Sequence, residues 1–181
     1  MIGTDAVFYS YMEKLFAGFG WEVSMEEAPL PDGRRKKAAR VHRADSVHIL
    51  AFPREGQLLL LREFRPFYGE YIWMLPSGRA DKEVGVLQAA QRELQEETGY
   101  KASDIRHLWT VNHSESLTSA NHVFLARGLT HEPLPQDEDE LIEVHEVPPE
   151  EALERVLASK KVHLASAYAL LRFLREKEEL H

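Results

Sequence analysis

The residues predict a mixed α+β domain in which strands outnumber helices. Three observations lead there. Short runs of strand length are bounded by Gly and Pro, one strongly helical stretch occupies 86–98, and two further helical patterns close the chain. Strands and helices do not alternate regularly, which sets the order apart from a βαβ series. With 181 residues the chain has the length of one domain plus an appendage, the prior being about 150 residues per domain. A chain of this size buries roughly two-thirds of its unfolded surface and folds without a covalent staple.

Residues 5–19 carry Val7, Phe8, Tyr11, Leu15 and Phe19 largely at three- and four-residue intervals, which predicts a short amphipathic helix stopped by Gly18 and Gly20. Residues 21–28 are expected to be extended, and Pro29-Leu30-Pro31-Asp32-Gly33 has turn chemistry. The basic run Arg34-Arg35-Lys36-Lys37 reads as a solvated strand end rather than a phosphate site. Residues 46–52 and 57–65 predict two strands joined as a hairpin at Pro53-Arg54-Glu55-Gly56, and 71–75 a short strand ending in Pro76-Ser77-Gly78. In the helix predicted over 86–98, Val86, Leu87, Ala90 and Leu94 share a face and Gly99 supplies the stop. Strands are expected at 105–111, 121–127 and 142–147. Helices are expected at 149–158 and 164–178, the latter burying Leu164, Tyr168, Leu171 and Leu174.

Composition narrows the function. The absence of cysteine excludes a disulfide scaffold, a Cys-ligated zinc or iron–sulfur centre and a thiol nucleophile. Twenty-two basic against 30 acidic residues give a formal net charge of −8, the wrong sign for a protein that tracks nucleic-acid phosphates. No apolar run approaches the ~20 residues of a membrane span. Residues 1–16 lack a basic start followed by an apolar stretch, so a cytoplasmic location is expected.

The chemistry concentrates on the central helix. Glu93 and Glu97 are four residues apart and Glu96 is three from Glu93, so the three carboxylates share one side of a helix and repel by a few tenths of a kcal/mol per pair. Two readings are open from this spacing: a solvated acidic face, or a set of hard oxygen ligands for divalent cations that bring substrate phosphates with them.

The surroundings favour the second reading. Separated from Gly78 by thirteen residues, the chain runs Arg92-Glu93-Leu94-Gln95-Glu96-Glu97-Thr98-Gly99-Tyr100. This resembles the loop–helix–loop signature of the Nudix hydrolases, a glycine followed after thirteen residues by Arg-Glu-apolar-x-Glu-Glu-x-Gly-apolar. One position departs: the family's glutamate six residues after the first glycine is Val84 here, with Glu83 beside it, which puts the loop conformation in question. Over roughly 21–174 the chain is similar to the ADP-ribose pyrophosphatase branch. The likeness is carried by Leu30-Pro31-Asp32-Gly33, Leu60-Leu61-Arg62-Glu63-Phe64-Arg65-Pro66, Trp73-Met74-Leu75-Pro76-Ser77-Gly78, Asp137-Glu138-Asp139-Glu140 with Ile142-Glu143-Val144, and the late helix. Met74 stands where that branch often has an acid, and loop 113–121 lacks a common glycine turn.

The resemblance implies an α/β/α sandwich of mixed sheets between helices at 46–181. It implies an N-terminal appendage at 1–45, whose helix and antiparallel strands would serve homodimerisation. It implies Glu93 and Glu97 as principal ligands of Mg²⁺, with Mn²⁺ as a substitute, Glu96 bridging or completing the site, and the Ser77 backbone carbonyl closing one coordination sphere. Glu138 or Glu140 would be the base, Glu140 being favoured. Arg65 would contact the diphosphate of a nucleoside diphosphate sugar, Arg79 would lie near it, and Arg92 would orient a helix carboxylate. Phe67 or Tyr68 is a candidate for stacking on a base. The implied reaction is hydrolysis of ADP-ribose or a related nucleotide sugar to a nucleoside monophosphate and a sugar phosphate. The alternatives are the same chemistry on GDP-mannose-like, dinucleoside polyphosphate or nucleoside triphosphate substrates, or a domain that senses nucleotide sugars without cleaving them.

Overall fold

The computed structural model describes residues 10–80 and 85–176. In order the elements are β1 (Ser10–Gly18), β2 (Trp21–Pro29), β3 (Arg35–Arg43), β4 (Ser46–Ala51), β5 (Leu58–Arg65), β6 (Glu70–Met74), β7 (Ser77–Arg79), α1 (Val86–Thr98), β8 (Tyr100–Asn112), β9 (Ala120–His131), β10 (Ile142–Val147), α2 (Pro149–Ala158) and α3 (Leu164–Glu176). Val84 and Glu83, the departure within the motif, lie outside the described residues. The chain divides into two compact units, Met1–Ala44 with Asn112–Ala120, and Asp45–Val111 with Asn121–His181.

The first unit is the antiparallel sheet β1-β2-β3. The helix expected over 5–19 is replaced, through Ser10–Gly18, by strand β1; residues 5–9 lie outside the described residues. Phe19 and Gly20 adopt φ of 53° and 76°, the left-handed pair that a two-residue hairpin needs between Gly18 and Trp21. Backbone pairing with β2, irregular at Tyr11/Glu13 and Lys14/Phe16, overrides the helical spacing of the apolar residues. The segment 112–120 joins this unit through Val41 N–H donating to Ser116 O (2.8 Å), Thr118 N–H donating to Val41 O (2.9 Å) and a Lys36–Glu115 ion pair at 2.8 Å.

The second unit holds two sheets, β7-β4-β9-β8 and the antiparallel β10-β5-β6; β4 runs parallel to β9 and antiparallel to β7. The expected β4–β5 hairpin does not form, because the two strands enter different sheets. Both are apolar on both faces and buried on both, so each needs cover above and below rather than a solvated side. Alternation along the strands sorts the cover. Val47, Ile49, Ala51, Leu59, Phe124 and Ala126 pack with Ala89, Ala90 and Leu94 of α1. Leu50, Leu58, Leu60, Val123 and Leu125 pack with Ala152 and Val156 of α2 and Ala167, Leu170 and Phe173 of α3. Helices therefore cover both sides, giving the α/β/α sandwich.

Two helix faces differ from expectation. In α3 the buried residues are Ser166, Ala167, Ala169, Leu170 and Phe173, while Leu164 is 78% exposed and Tyr168 and Leu171 are also exposed. In α1, Leu87 is exposed and Ala89 is buried instead. Small residues let these helices approach the sheets closely, which a hydrophobicity pattern weighted to large side chains misses. No helix among the described residues is long and apolar enough to cross a membrane.

Candidate active site

The site lies in the second unit, where β5, β7, α1 and the acidic loop meet. Helix α1 ends in Gly99, whose φ of 75° supplies the left-handed cap and donates its N–H to Gln95 O at 3.0 Å. Two residues back, Glu97 is buried (6% exposed) and accepts the Ser77 N–H at 2.7 Å. Glu93 packs its carboxyl against Gly78, where a Cβ would overlap it. Gly78 thus makes room for a carboxylate, the physical reason for a glycine at the start of the motif. Arg92 bonds Glu96, donates to Glu93 Oε1 at 2.6 Å and reaches the Arg79 carbonyl at 3.2 Å, so it orients two helix carboxylates, as its place in the sequence implied.

The acidic loop is tied at both ends. Gln95 Nε2 donates to Glu132 O at 2.8 Å and Glu132 N–H to Gly99 O at 2.9 Å. At the other end Phe64 N–H donates to Leu141 O at 3.0 Å, where β10 pairs with β5. A turn closed by Glu140 N–H on Asp137 O leaves Glu138 exposed and Glu140 half-buried. On β5, Leu59, Leu61, Glu63 and Arg65 share the face turned to α1; Arg65 Nη2 lies 2.9 Å from Glu63 Oε2 and 3.2 Å from Met74 Sδ.

The carboxylates act on one another. Burial first, then Glu93, Glu140 and Glu63, hold Glu97 well above the usual range, against the Ser77 N–H, which lowers it. Burial pushes Glu93 up to about 7 despite Arg92, with Glu96 and Glu140 adding to the rise. Burial likewise raises Glu63 to about 7, opposed by Arg65 and reinforced by Glu140. Glu140 is raised by burial and Asp137, opposed by Arg65, and further raised by Asp139 and Glu96. Burial in a low dielectric strengthens the repulsion between like charges and so raises their affinity for protons.

This geometry belongs with a sequence match: the family model for the NUDIX domain fits residues 42–170. The chain belongs to the Nudix family. It is 33% identical over 171 residues to an ADP-ribose pyrophosphatase of Bacillus subtilis (strain 168), covering 93% of this chain and 92% of that protein. It is 25% identical over 173 residues to a methanol dehydrogenase activator of Bacillus methanolicus, covering 93% and 92%. A solved structure described as an ADP compounds hydrolase matches with a TM-score of 0.75 at 24% identity, over 92% of this chain and 91% of that one, a likeness of fold.

As a Nudix pyrophosphohydrolase the protein belongs to a family that is generally dependent on divalent metal. Its residues fit such an ion. The donors are hard carboxylate oxygens, and burial raises the charges of Glu93 and Glu97 in energy. As the side chains stand, no three His, Asp or Glu among the described residues converge as a ready-made cage; Glu93 and Glu96 are turned to Arg92, and Glu97 to Ser77.

The Nudix helix places Glu93, Glu96 and Glu97 within about one turn of one another; Glu140 acts on Glu93 and Glu97, and Arg65 acts on Glu140 and Glu63. Glu138 is exposed in the turn, and Arg79 enters through its carbonyl to Arg92. Phe67 is fully exposed and Tyr68 largely so, in the turn after Arg65. Glu63 was missed by sequence reasoning; the run Leu59, Leu61, Glu63, Arg65 at every second position held the signal. A separate cavity of about 680 Å³, lined by residues including Phe52, Arg54, Arg127, Pro149 and Phe173, has none of these carboxylates in its wall.

Proposed function

We propose that this Nudix enzyme hydrolyses the diphosphate of ADP-ribose or a related nucleoside diphosphate sugar, with Mg²⁺ or Mn²⁺ as cofactor, releasing a nucleoside monophosphate and a sugar phosphate. The observation that carries this is the placing of the helix carboxylates: Glu97 is buried on the Ser77 N–H, Glu93 lies against Gly78, and Arg92 holds Glu93 and Glu96. The identity to an ADP-ribose pyrophosphatase over nearly the whole of both chains supports the substrate class.

Glu93 and Glu97 are the principal cation-holding carboxylates, assisted by Glu96 and the Ser77 carbonyl. Bound there, a divalent cation supplies neutralisation of the diphosphate and a water of lowered pKa. Arg65 binds a diphosphate oxygen through its guanidinium, whose paired donors suit phosphate, and Arg79 lies at the edge of the same ligand. Glu140 takes the proton of the attacking water: it is half-buried, its affinity for a proton is raised, and the tied loop holds it near Glu93 and Glu97. Arg92 keeps Glu93 and Glu96 from scattering before substrate arrives. Exposed Leu15, Phe16, Phe19 and Trp21 on the first unit support a homodimer made through its sheet.

The test is phosphate release, through a coupled phosphatase, from ADP-ribose, GDP-mannose, UDP-glucose, a diadenosine polyphosphate and nucleoside triphosphates, each with and without Mg²⁺. Metal-dependent cleavage of ADP-ribose or another nucleotide sugar is expected. Cleavage confined to the polyphosphates overturns the substrate class, and binding of ADP-ribose without cleavage overturns catalysis.

A further inference from the structure

We propose that Glu63 is a positioning residue for Arg65: its buried carboxylate roots the guanidinium at the floor of the site so that the remaining donors face the substrate diphosphate. The inference rests on the reading of Arg65 given under the proposed function.

The argument begins with the strand. Leu59 and Leu61 are fully buried on the α1 face of β5, and Glu63 and Arg65 are the next two residues on that face. Register is pinned here from both sides, Glu63 opposing Ile142 of β10 and Ile72 of β6, so Glu63 cannot slide outward. It is 3% exposed. A carboxylate so buried persists only when another group meets its charge. That group is Arg65, Nη2 to Oε2 2.9 Å. Because Oε2 makes no hydrogen bond among the described residues, the pair is held by charge rather than by a bidentate fork.

One corner of the guanidinium is therefore tethered while the side chain keeps 38% of its surface exposed. The same Nη2 touches Met74 Sδ at 3.2 Å, and a thioether is a weak acceptor with no charge. Arg65 also acts on Glu140. With Glu63 neutral, the guanidinium is left to follow Glu140 toward the acidic loop and away from the position that a diphosphate requires.

The experiment measures steady-state kinetics on ADP-ribose with saturating Mg²⁺, and thermal melting, for Glu63→Gln, Arg65→Ala and the double variant Glu63→Gln/Met74→Glu. Glu63→Gln is expected to raise KM roughly ten-fold, the size of one charge-assisted contact, with kcat within about two-fold. Because position 74 already touches Nη2, the double variant is expected to recover most of the KM. A fall in kcat with unchanged KM overturns the proposal, placing Glu63 with the cation-holding carboxylates, as does a normally melting double variant without rescue. Should Glu63→Gln not fold, Glu63→Asp is read instead: the shortened acid must raise KM, and an unchanged KM overturns the proposal. Arg65→Ala separates the two failures. If it leaves KM unchanged, the diphosphate role of Arg65 falls; if it raises KM while Glu63→Gln does not, only the role of Glu63 falls.

Discussion

Replacing Gly78 by alanine is expected to separate the fold from the chemistry. Gly78 is not in the left-handed region, so a side chain brings no backbone strain. What it brings is a methyl group overlapping the Glu93 carboxyl, at its Cδ and both oxygens. The obstacle is the far end of a flexible side chain, so Glu93 swings aside and breaks the 2.6 Å bond from Arg92 while β7 and α1 stay packed. The stability cost then sits at the low end of overpacking, about 1 kcal/mol, a shift of a few degrees in Tm. Turnover depends on placement, and a group displaced by about 1 Å costs on the order of a hundred-fold, about 2.7 kcal/mol of barrier. The assay is kcat on ADP-ribose with Mg²⁺ beside a thermal melt. The same substitution in a Glu93→Ala background should cost nothing in stability, giving a coupling of about 1 kcal/mol. Near-normal turnover by a folded Gly78→Ala protein refutes the placement of Glu93. A large stability loss that persists without Glu93 shows that the methyl meets backbone, and refutes the reasoning.

Glu140→Gln should lower kcat by orders of magnitude while Glu138→Gln, at an exposed position, changes it less than about three-fold; equal mild losses in the two leave neither as base. In metal-free protein the burial-raised Glu93 favours the folded state in its protonated form, a contribution complete below about 4.5 and lost as pH rises through about 7. Melting of EDTA-treated protein between pH 5.5 and 8 should therefore slope downward, and Glu93→Gln should flatten the slope; identical slopes remove the burial argument. Buried Ser166 accepts the Leu75 N–H at 2.9 Å and bonds His163 Nδ1 at 2.7 Å, so Ser166→Ala should destabilise by about 1–3 kcal/mol in denaturant melts, and an unchanged midpoint argues that water replaces the hydroxyl.

Local signals carried much of the architecture. The bounds of helix α1 were legible to the residue, though not its whole buried face, because the apolar spacing, the C-cap glycine and the carboxylate spacing all act within a few turns. The two C-terminal helices and strands β2 and β10 were legible for the same reason. The errors have a common cause. Strand β1 was read as a helix because a three-to-four spacing of apolar residues is indifferent to whether a partner strand lies alongside. The expected β4–β5 hairpin failed because a turn sequence says where the chain bends and not which sheet each arm enters. Strand β7 is three residues long and carries no periodicity of its own; it exists through its pairing with β4.

The candidate site divides along the same line. The sequence by itself determined that Glu93, Glu96 and Glu97 share one side of a helix, which follows from their spacing; the place of Gly78 in the motif and the orienting part of Arg92 came from the resemblance to the Nudix signature, and that Gly78 makes room for Glu93 came from the structure. Only the tertiary structure decided that Glu140 is half-buried while Glu138 is exposed, and that Glu63 is buried against Arg65. Both depend on strand register across β10, β5 and β6, and on burial, which raises the energy of a charge according to what surrounds it and not according to its neighbours in the chain.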